Sequence, residues 1–236
     1  MWYLLNIFQL AGMIIFNLIF LPIVILVGLF SQKAMQWMAR FIWSPVMLSF
    51  PFGSATIIGK ENIDTEKPCI YVANHSSHFD IPALYVVFPF FMYFIAKQEL
   101  SKVPMFGWAN TLVGTIWIDR KDRSKAMATM KLAGEQIKNG KNVISFPEGT
   151  RSKDGNIGLF KKGTFALAQS CAVDVVPIYM HGTRPLNPPG TIWMRPSKVK
   201  VVVGKRLSIE DYKDYKPEEF ANEVCSIVKE LKNSLD

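Results

Sequence analysis

Apolar residues run without a break through the start of the chain and then give way to short alternating blocks. Residues 1–32 contain no Asp, Glu, Lys, Arg or His, and the only charged side chains before residue 60 are Lys33 and Arg40. About 20 apolar residues suffice to cross a bilayer, and Pro22 is expected to kink or break a helix drawn through this stretch. The basic start, short apolar core and small-x-small site of a cleaved leader are not clear here, so the segment is expected to stay attached. At about 100° per residue, Asn6, Gln9, Asn17 and Ser31 fall in one narrow arc, either a side that packs on protein or a chance placement. Lys33, Gln36 and Arg40 then share one face, with Met35, Trp37, Met38, Phe41, Ile42 and Trp43 around the remainder. That pattern predicts an interfacial helix whose basic groups face anionic headgroups. The expectation is a membrane-embedded helix pair over residues 1–52. Residues 53–236 then form the functional domain, on the cytoplasmic side by the positive-inside tendency.

Beyond residue 53, β-rich runs alternate with helical stretches. Strands are expected at Thr56 to Ile58, Ile70 to Ala73, Met92 to Ala96, Thr115 to Ile118, Asn142 to Phe146, Val173 to Tyr179 and Val199 to Val203. Helices are expected at Asp80 to Val87, Pro104 to Thr111, Arg123 to Lys138, Thr164 to Ser170 and Pro217 to Leu235. The last has Pro at its start and Glu218 and Glu219 in its first turn, as a helix N-terminus favours. Such alternation implies an α/β fold, a mostly parallel central sheet flanked by helices, with sites beyond the strand ends.

The formal charge of +8 on 236 residues admits nucleic acid, but the apolar anchor and the lack of a basic–aromatic recognition stripe argue against it. Anionic lipid and phosphorylated substrates account for it better. Cys69, Cys171 and Cys225 are odd in number and lack metal-ligand spacing, so they are expected to be reduced core residues with no zinc site and no disulfide framework.

Three segments carry chemistry. In Asn74-His75-Ser76-Ser77-His78-Phe79-Asp80, His75 and Asp80 stand five residues apart at a strand end. On one continuous helix they would diverge by roughly 140°, so Ser76 to His78 must turn and the helix must begin near Phe79 or Asp80. The carboxylate then fixes one imidazole nitrogen and leaves the other free to take a proton from a hydroxyl. Taken alone, His75 fits a capping or core histidine equally well, and His78 is a rival base. The turn Phe146-Pro147-Glu148-Gly149-Thr150-Arg151 combines Gly149 for close backbone approach with the Thr150 hydroxyl and the Arg151 guanidinium, a phosphate cradle or else a solvated turn. Glu148 would repel a phosphate and is expected to hold Arg151, Arg120 or the loop itself. Arg120 ends a third block, Gly114 to Arg120, and Lys97, Lys161 and Lys162 would extend a basic rim or simply be solvated. Pro177, within Val175 to Ile178, marks an edge strand or the wall of an acyl channel. The ensemble reads as a transferase with an alcohol as nucleophile.

In order and spacing these blocks resemble the glycerolipid acyltransferase family. Asn74 to Asp80 matches its Asn-His-x-x-x-x-Asp block, Gly114 to Arg120 its second, Phe146 to Ser152 its Phe-Pro-Glu-Gly-Thr-Arg-Ser block and Val176 to Ile178 its Val-Pro-Ile. Trp117 stands where the family more often has Phe. The resemblance implies catalysis by His75 and Asp80, with no cofactor. A fatty acyl group would pass from a thioester of coenzyme A or acyl carrier protein to the sn-2 hydroxyl of lysophosphatidic acid, giving phosphatidic acid. Arg120 and Arg151 are the candidates for the acceptor phosphate. Two alternatives remain open. One is another acceptor: glycerol 3-phosphate, a headgroup-bearing lysophospholipid or a lyso-aminolipid. The other is a non-catalytic membrane lipid-binding protein, which would have no need of these residues at successive strand ends. A serine hydrolase is disfavoured because no Gly-x-Ser-x-Gly elbow occurs.

Overall fold

The computed structural model describes residues 2–119 and 123–235. Among them, seven strands form one sheet: β1 (Ser54–Ile58), β2 (Ile70–Ala73), β3 (Met92–Lys97), β4 (Ile116–Ile118), β5 (Asn142–Ser145), β6 (Val175–His181) and β7 (Lys198–Val203), in the order β1-β7-β6-β2-β5-β3-β4. Every pairing is parallel except β6 with β7. The helices are α1 (Trp2–Phe30), α2 (Gln32–Met38), α3 (Ser44–Ser49), α4 (Asp80–Val87), α5 (Phe106–Val113), α6 (Arg123–Lys138), α7 (Gly163–Cys171), α8 (Thr183–Leu186), α9 (Ile209–Tyr212) and α10 (Pro217–Asn233).

Side-chain alternation along the central strands builds a layer on each face. Ile70 and Val72 of β2 meet Ala133 and Ile137 of α6, Phe165 of α7 and Phe220 and Val224 of α10. Tyr71 and Ala73 point the other way, into a cluster with Leu48 of α3 and Ala83, Leu84 and Tyr85 of α4. With both faces covered, β2 and most of β6 are apolar runs without a polar face, as a buried parallel sheet requires. A further cluster joins Phe20 and Val24 of α1 and Met35 of α2 to Ala109 and Val113 of α5. The N-terminal helices are thus packed onto the sheet domain rather than tethered to it.

Three expectations are corrected here. Helix α1 runs unbroken through Pro22, because losing one i→i−4 bond is a small fraction of what a 29-residue helix makes. It is roughly 44 Å long at 1.5 Å per residue, little of it is buried, and it is long and apolar enough to cross a membrane. The basic face of the second segment turns inward. Arg40 donates to the carbonyls of Tyr85, Phe88 and Pro89 at the end of α4, and Gln36 donates to Tyr93 Oη (3.0 Å) and to the Val113 carbonyl at the end of α5 (3.1 Å). Lys33 alone of the three is exposed. Unpaired carbonyls at a helix C-terminus are what draw in these donors.

Pro177, the third, lies in β6 between β2 and β7 and so in no edge strand. Register there shifts by one residue, from Ile178↔Val203 to Val175↔Leu207. This bulge lets the ladder pass a residue that cannot donate, while the Pro177 carbonyl still accepts from Gly204 N at 2.8 Å. The polar arc of α1, by contrast, does pack on protein. Gln9 donates to the Phe50 carbonyl, Asn6 Oδ1 accepts from Met194 N, Asn17 Oδ1 accepts from Trp43 Nε1 at 3.0 Å, and Ser31 Oγ caps α2 through Ala34 N at 3.2 Å.

Candidate active site

Strands β2 and β5 are neighbours, so the loops that leave their C-terminal ends, Asn74 to Phe79 and Phe146 to Arg151, meet beyond the sheet. Asn74 governs the departure of the first. Its side-chain amide donates to the Met180 carbonyl (3.1 Å) and accepts from Met180 N (2.7 Å), doing for β6 what a strand residue's main chain would do. The backbone after Ala73 is thereby free to turn without orphaning β6.

The turn closes on Asp80, the first residue of α4. Its Oδ2 accepts from His75 Nδ1 at 2.6 Å, Ser76 N at 2.9 Å and Ser77 N at 3.0 Å. The side chain is wholly buried, and Oδ1 has no hydrogen-bond partner among the described residues. Ser76 Oγ pairs with Thr183 Oγ1 (2.9 Å) and Ser77 Oγ donates to the Asn187 carbonyl (3.0 Å), tying the turn to α8 and the residue that follows it. With Nδ1 as donor to a carboxylate, the imidazole carries its lone pair on Nε2. The ring keeps 22% of its surface exposed and lies on Phe146, centroids 4.3 Å apart. His78, the rival base, is exposed, and Asp80 is engaged by His75 instead.

The second loop clamps the main chain of His75. Glu148 Oε1 accepts from His75 N (2.8 Å), Glu148 Oε2 accepts from Gly158 N (3.1 Å), and Ser152 N donates to the His75 carbonyl (2.8 Å). Of the roles open to Glu148, holding the loop is the one the geometry gives. Burial pushes its carboxyl above the ordinary range, against the pull of the two N–H donors and of His75. Gly149 adopts φ 76°, the left-handed region, and its N–H closes the turn on the Phe146 carbonyl at 3.0 Å.

Thr150 and Arg151 line a surface cleft of about 750 Å³ with Ser152, Lys153, Asp154 and Leu159. Arg120 lies outside the described residues. Lys97, at the end of β3 and separated from β2 by β5, pairs with Glu99 at 3.3 Å and is not among the residues of the cleft. Lys162 is paired with Glu218 at 2.6 Å. Pro177 belongs to the body of β6, its ring close to Gly204, and is not among the residues lining the cleft. Among the described residues no group of three His, Cys, Asp or Glu side chains could hold a metal ion.

Sequence reasoning gave the side chains of Asn74, Ser76, Ser77 and Phe146 no individual role. Those side chains act through hydrogen bonds to Met180, Thr183 and Asn187 and a ring contact to His75, all distant in sequence, which spacing does not reveal. An apolar cavity of about 130 Å³ also went unforeseen. Phe20, Val24 and Met35 of the N-terminal helices line it with Ile81, Tyr85 and Phe94. Phe94 stacks on Phe146 at 6.2 Å, so an aromatic path joins the cavity to His75.

A family model described as acyltransferase matches residues 54–181, more than half of the chain. The chain belongs to the acyltransferase family. The chain is 35% identical over 188 residues to a chloroplast 1-acyl-sn-glycerol-3-phosphate acyltransferase of Brassica napus, covering 79% of this chain and 54% of the relative. It is 34% identical over 197 residues to the 1-acyl-sn-glycerol-3-phosphate acyltransferase of Saccharomyces cerevisiae, covering 82% and 65%. The chain thus spans about half the length of the Brassica relative. The crystal structure of a 1-acyl-sn-glycerophosphate acyltransferase from Thermotoga maritima superposes with a TM-score of 0.83 at 26% identity, over 100% of this chain and 98% of that one.

Proposed function

We propose that the protein transfers a fatty acyl group from an acyl thioester to the sn-2 hydroxyl of 1-acyl-glycerol 3-phosphate, forming phosphatidic acid. The observation that carries this reading is the His75–Asp80 pair at 2.6 Å, which engages Nδ1 and leaves Nε2 free of the carboxylate on a partly exposed side chain. Nε2 takes the hydroxyl proton as the oxygen attacks the thioester carbonyl, and Asp80 steadies the imidazolium. Collapse of the tetrahedral intermediate expels the thiolate, which receives that proton from Nε2. No nucleophile from the protein is needed. The names of the relatives, 1-acyl-sn-glycerol-3-phosphate acyltransferases in plant plastid and yeast, support the acceptor.

Arg151, in the cleft beside the loop that clamps His75, binds the acceptor phosphate; Arg120 shares that task. Glu148 and Gly149 shape the loop and Thr150 faces the ligand. The apolar cavity, reached from His75 by way of Phe146 and Phe94, receives an acyl chain. Its walls come partly from α1 and α2, so residues 1–52 both attach the protein to the membrane and help shape the acyl site. The N-terminal helices hold the site at a bilayer whose lipids supply the acceptor and take up the product, with the sheet domain on the cytoplasmic side.

The deciding assay gives the purified protein lysophosphatidic acid, glycerol 3-phosphate or a headgroup-bearing lysophospholipid at matched acyl donor. The expected result is preferential acylation of lysophosphatidic acid. Preference for either of the others would replace the acceptor, and no transfer to any acceptor would remove the activity.

A further inference from the structure

A second cleft, of about 300 Å³, opens on the other flank of the His75 turn, and the reaction as proposed leaves it unused. Asn74 and Ser76, the neighbours of His75, form one end, and His181, Arg184, Ser197 and Lys232 line the rest. Every charged group along its walls is basic. Arg184 gives one donor to the Lys153 carbonyl (2.6 Å), while its Nε is buried with no partner, and among the described residues neither Arg184 nor Lys232 is in a salt bridge. A buried guanidinium N–H without a partner is costly and is commonly a place kept for an acceptor atom. Gly155 keeps that place open, since a Cβ there would stand 3.2 Å from Arg184 Cδ. The loop from Ser152 to Gly158 divides this cleft from the one containing Arg151.

Direct transfer requires two phosphorylated substrates to reach His75 at once. The acceptor phosphate belongs to the same glycerol unit as the reacting hydroxyl and needs a cation close to the imidazole. The donor phosphate lies a full pantetheine arm away from the thioester. A cleft that starts beside His75 and reaches Lys232 on α10 suits the longer reach. Helix α10 packs on the sheet face opposite α3 and α4, so the cleft reaches the side from which a water-soluble donor arrives.

Building on the acyl-transfer reading, we propose that this cleft binds the phosphopantetheine arm of the acyl donor, with Arg184 and Lys232 as its phosphate-binding residues. Coenzyme A and acyl carrier protein share that arm, and the test separates them. Binding of coenzyme A alone is measured by calorimetry on the full chain, native and as Arg184→Gln and Lys232→Glu. The same variants are assayed for their dependence on acyl-coenzyme A, on acyl carrier protein donor and on lysophosphatidic acid. Losing a charged hydrogen bond weakens binding roughly tenfold. The expected result is a loss of about that size in coenzyme A affinity and in the acyl-coenzyme A KM, with the acceptor KM unmoved. A shift confined to the carrier-protein donor would support the same cleft with that donor. Lys232 sits at the surface near the end of α10, so Lys232→Glu keeps the test alive should Arg184→Gln fail to fold. Unchanged dependence on both donors, or a change in the acceptor KM alone, would overturn the assignment. Coenzyme A binding is read without turnover, so failure of the acceptor reading and failure of this one give different results.

Discussion

Replacing Asp80 by Asn tests how the dyad works, because one oxygen does all the hydrogen bonding. Oδ2 collects His75 Nδ1, Ser76 N and Ser77 N, while buried Oδ1 has no described partner. An asparagine placing its oxygen at the Oδ2 position keeps all three bonds. The reverse placement would set an NH2 against three donors, so the first is strongly preferred. Nδ1 therefore remains the protonated nitrogen and Nε2 remains the base. What is lost is charge: a neutral acceptor replaces a carboxylate, worth about 1–2 kcal/mol less to the imidazolium, or roughly 5- to 30-fold in kcat. A flipped tautomer would cost roughly 10⁴-fold. The assay is kcat with saturating lysophosphatidic acid, together with nitrogen NMR of the labelled imidazole to locate its proton. A fall near 10⁴ with the proton on Nε2 would refute the reasoning.

Three further outcomes follow from the contacts. Glu148 ionises at a cost because burial raises its pKa. Its stabilisation is therefore full below the unfolded value and is lost as pH rises through the higher folded one. Glu148→Gln, neutral throughout, should then gain in thermal midpoint relative to the native protein as pH rises from the ordinary carboxylate range through the raised folded pKa of Glu148. Its NH2 also confronts the N–H of His75 or Gly158, so turnover should fall roughly tenfold; a midpoint difference independent of pH would contradict this account. Arg40→Met strips the α4 C-terminus of its donors and should cost roughly 2–3 kcal/mol in detergent unfolding, whereas no change would mean those carbonyls find water. Arg151→Lys keeps the charge but loses the fork, and should raise the KM for lysophosphatidic acid roughly tenfold while leaving the acyl-donor KM unmoved.

Local pattern located the elements well. Ile70–Ala73, Asp80–Val87 and Arg123–Lys138 fall where the sequence places them, since strand burial and helix starts are written within a few residues. The turn from Ser76 to His78 was required by the angular mismatch of His75 and Asp80 on a helix, and it is there. Sequence did not reveal where long-range polar groups would go. Arg40 reads as a headgroup-facing cation until α4, forty residues later, presents its bare carbonyls. Of the two readings of Pro177, the edge strand is set aside by its place between β2 and β7, where the β6–β7 bulge accommodates it. Spacing likewise does not say which Asp80 oxygen takes the backbone donors of Ser76 and Ser77.

The central claim is that His75 is the base of acyl transfer to lysophosphatidic acid. Single-turnover acylation by His75→Ala, in protein whose circular dichroism and membrane partition match the native chain, tests it most directly. The account predicts a loss of roughly 10² to 10⁴ in the chemical step, with donor and acceptor affinities nearly unchanged. Turnover within a few-fold of native by a folded His75→Ala protein would contradict it.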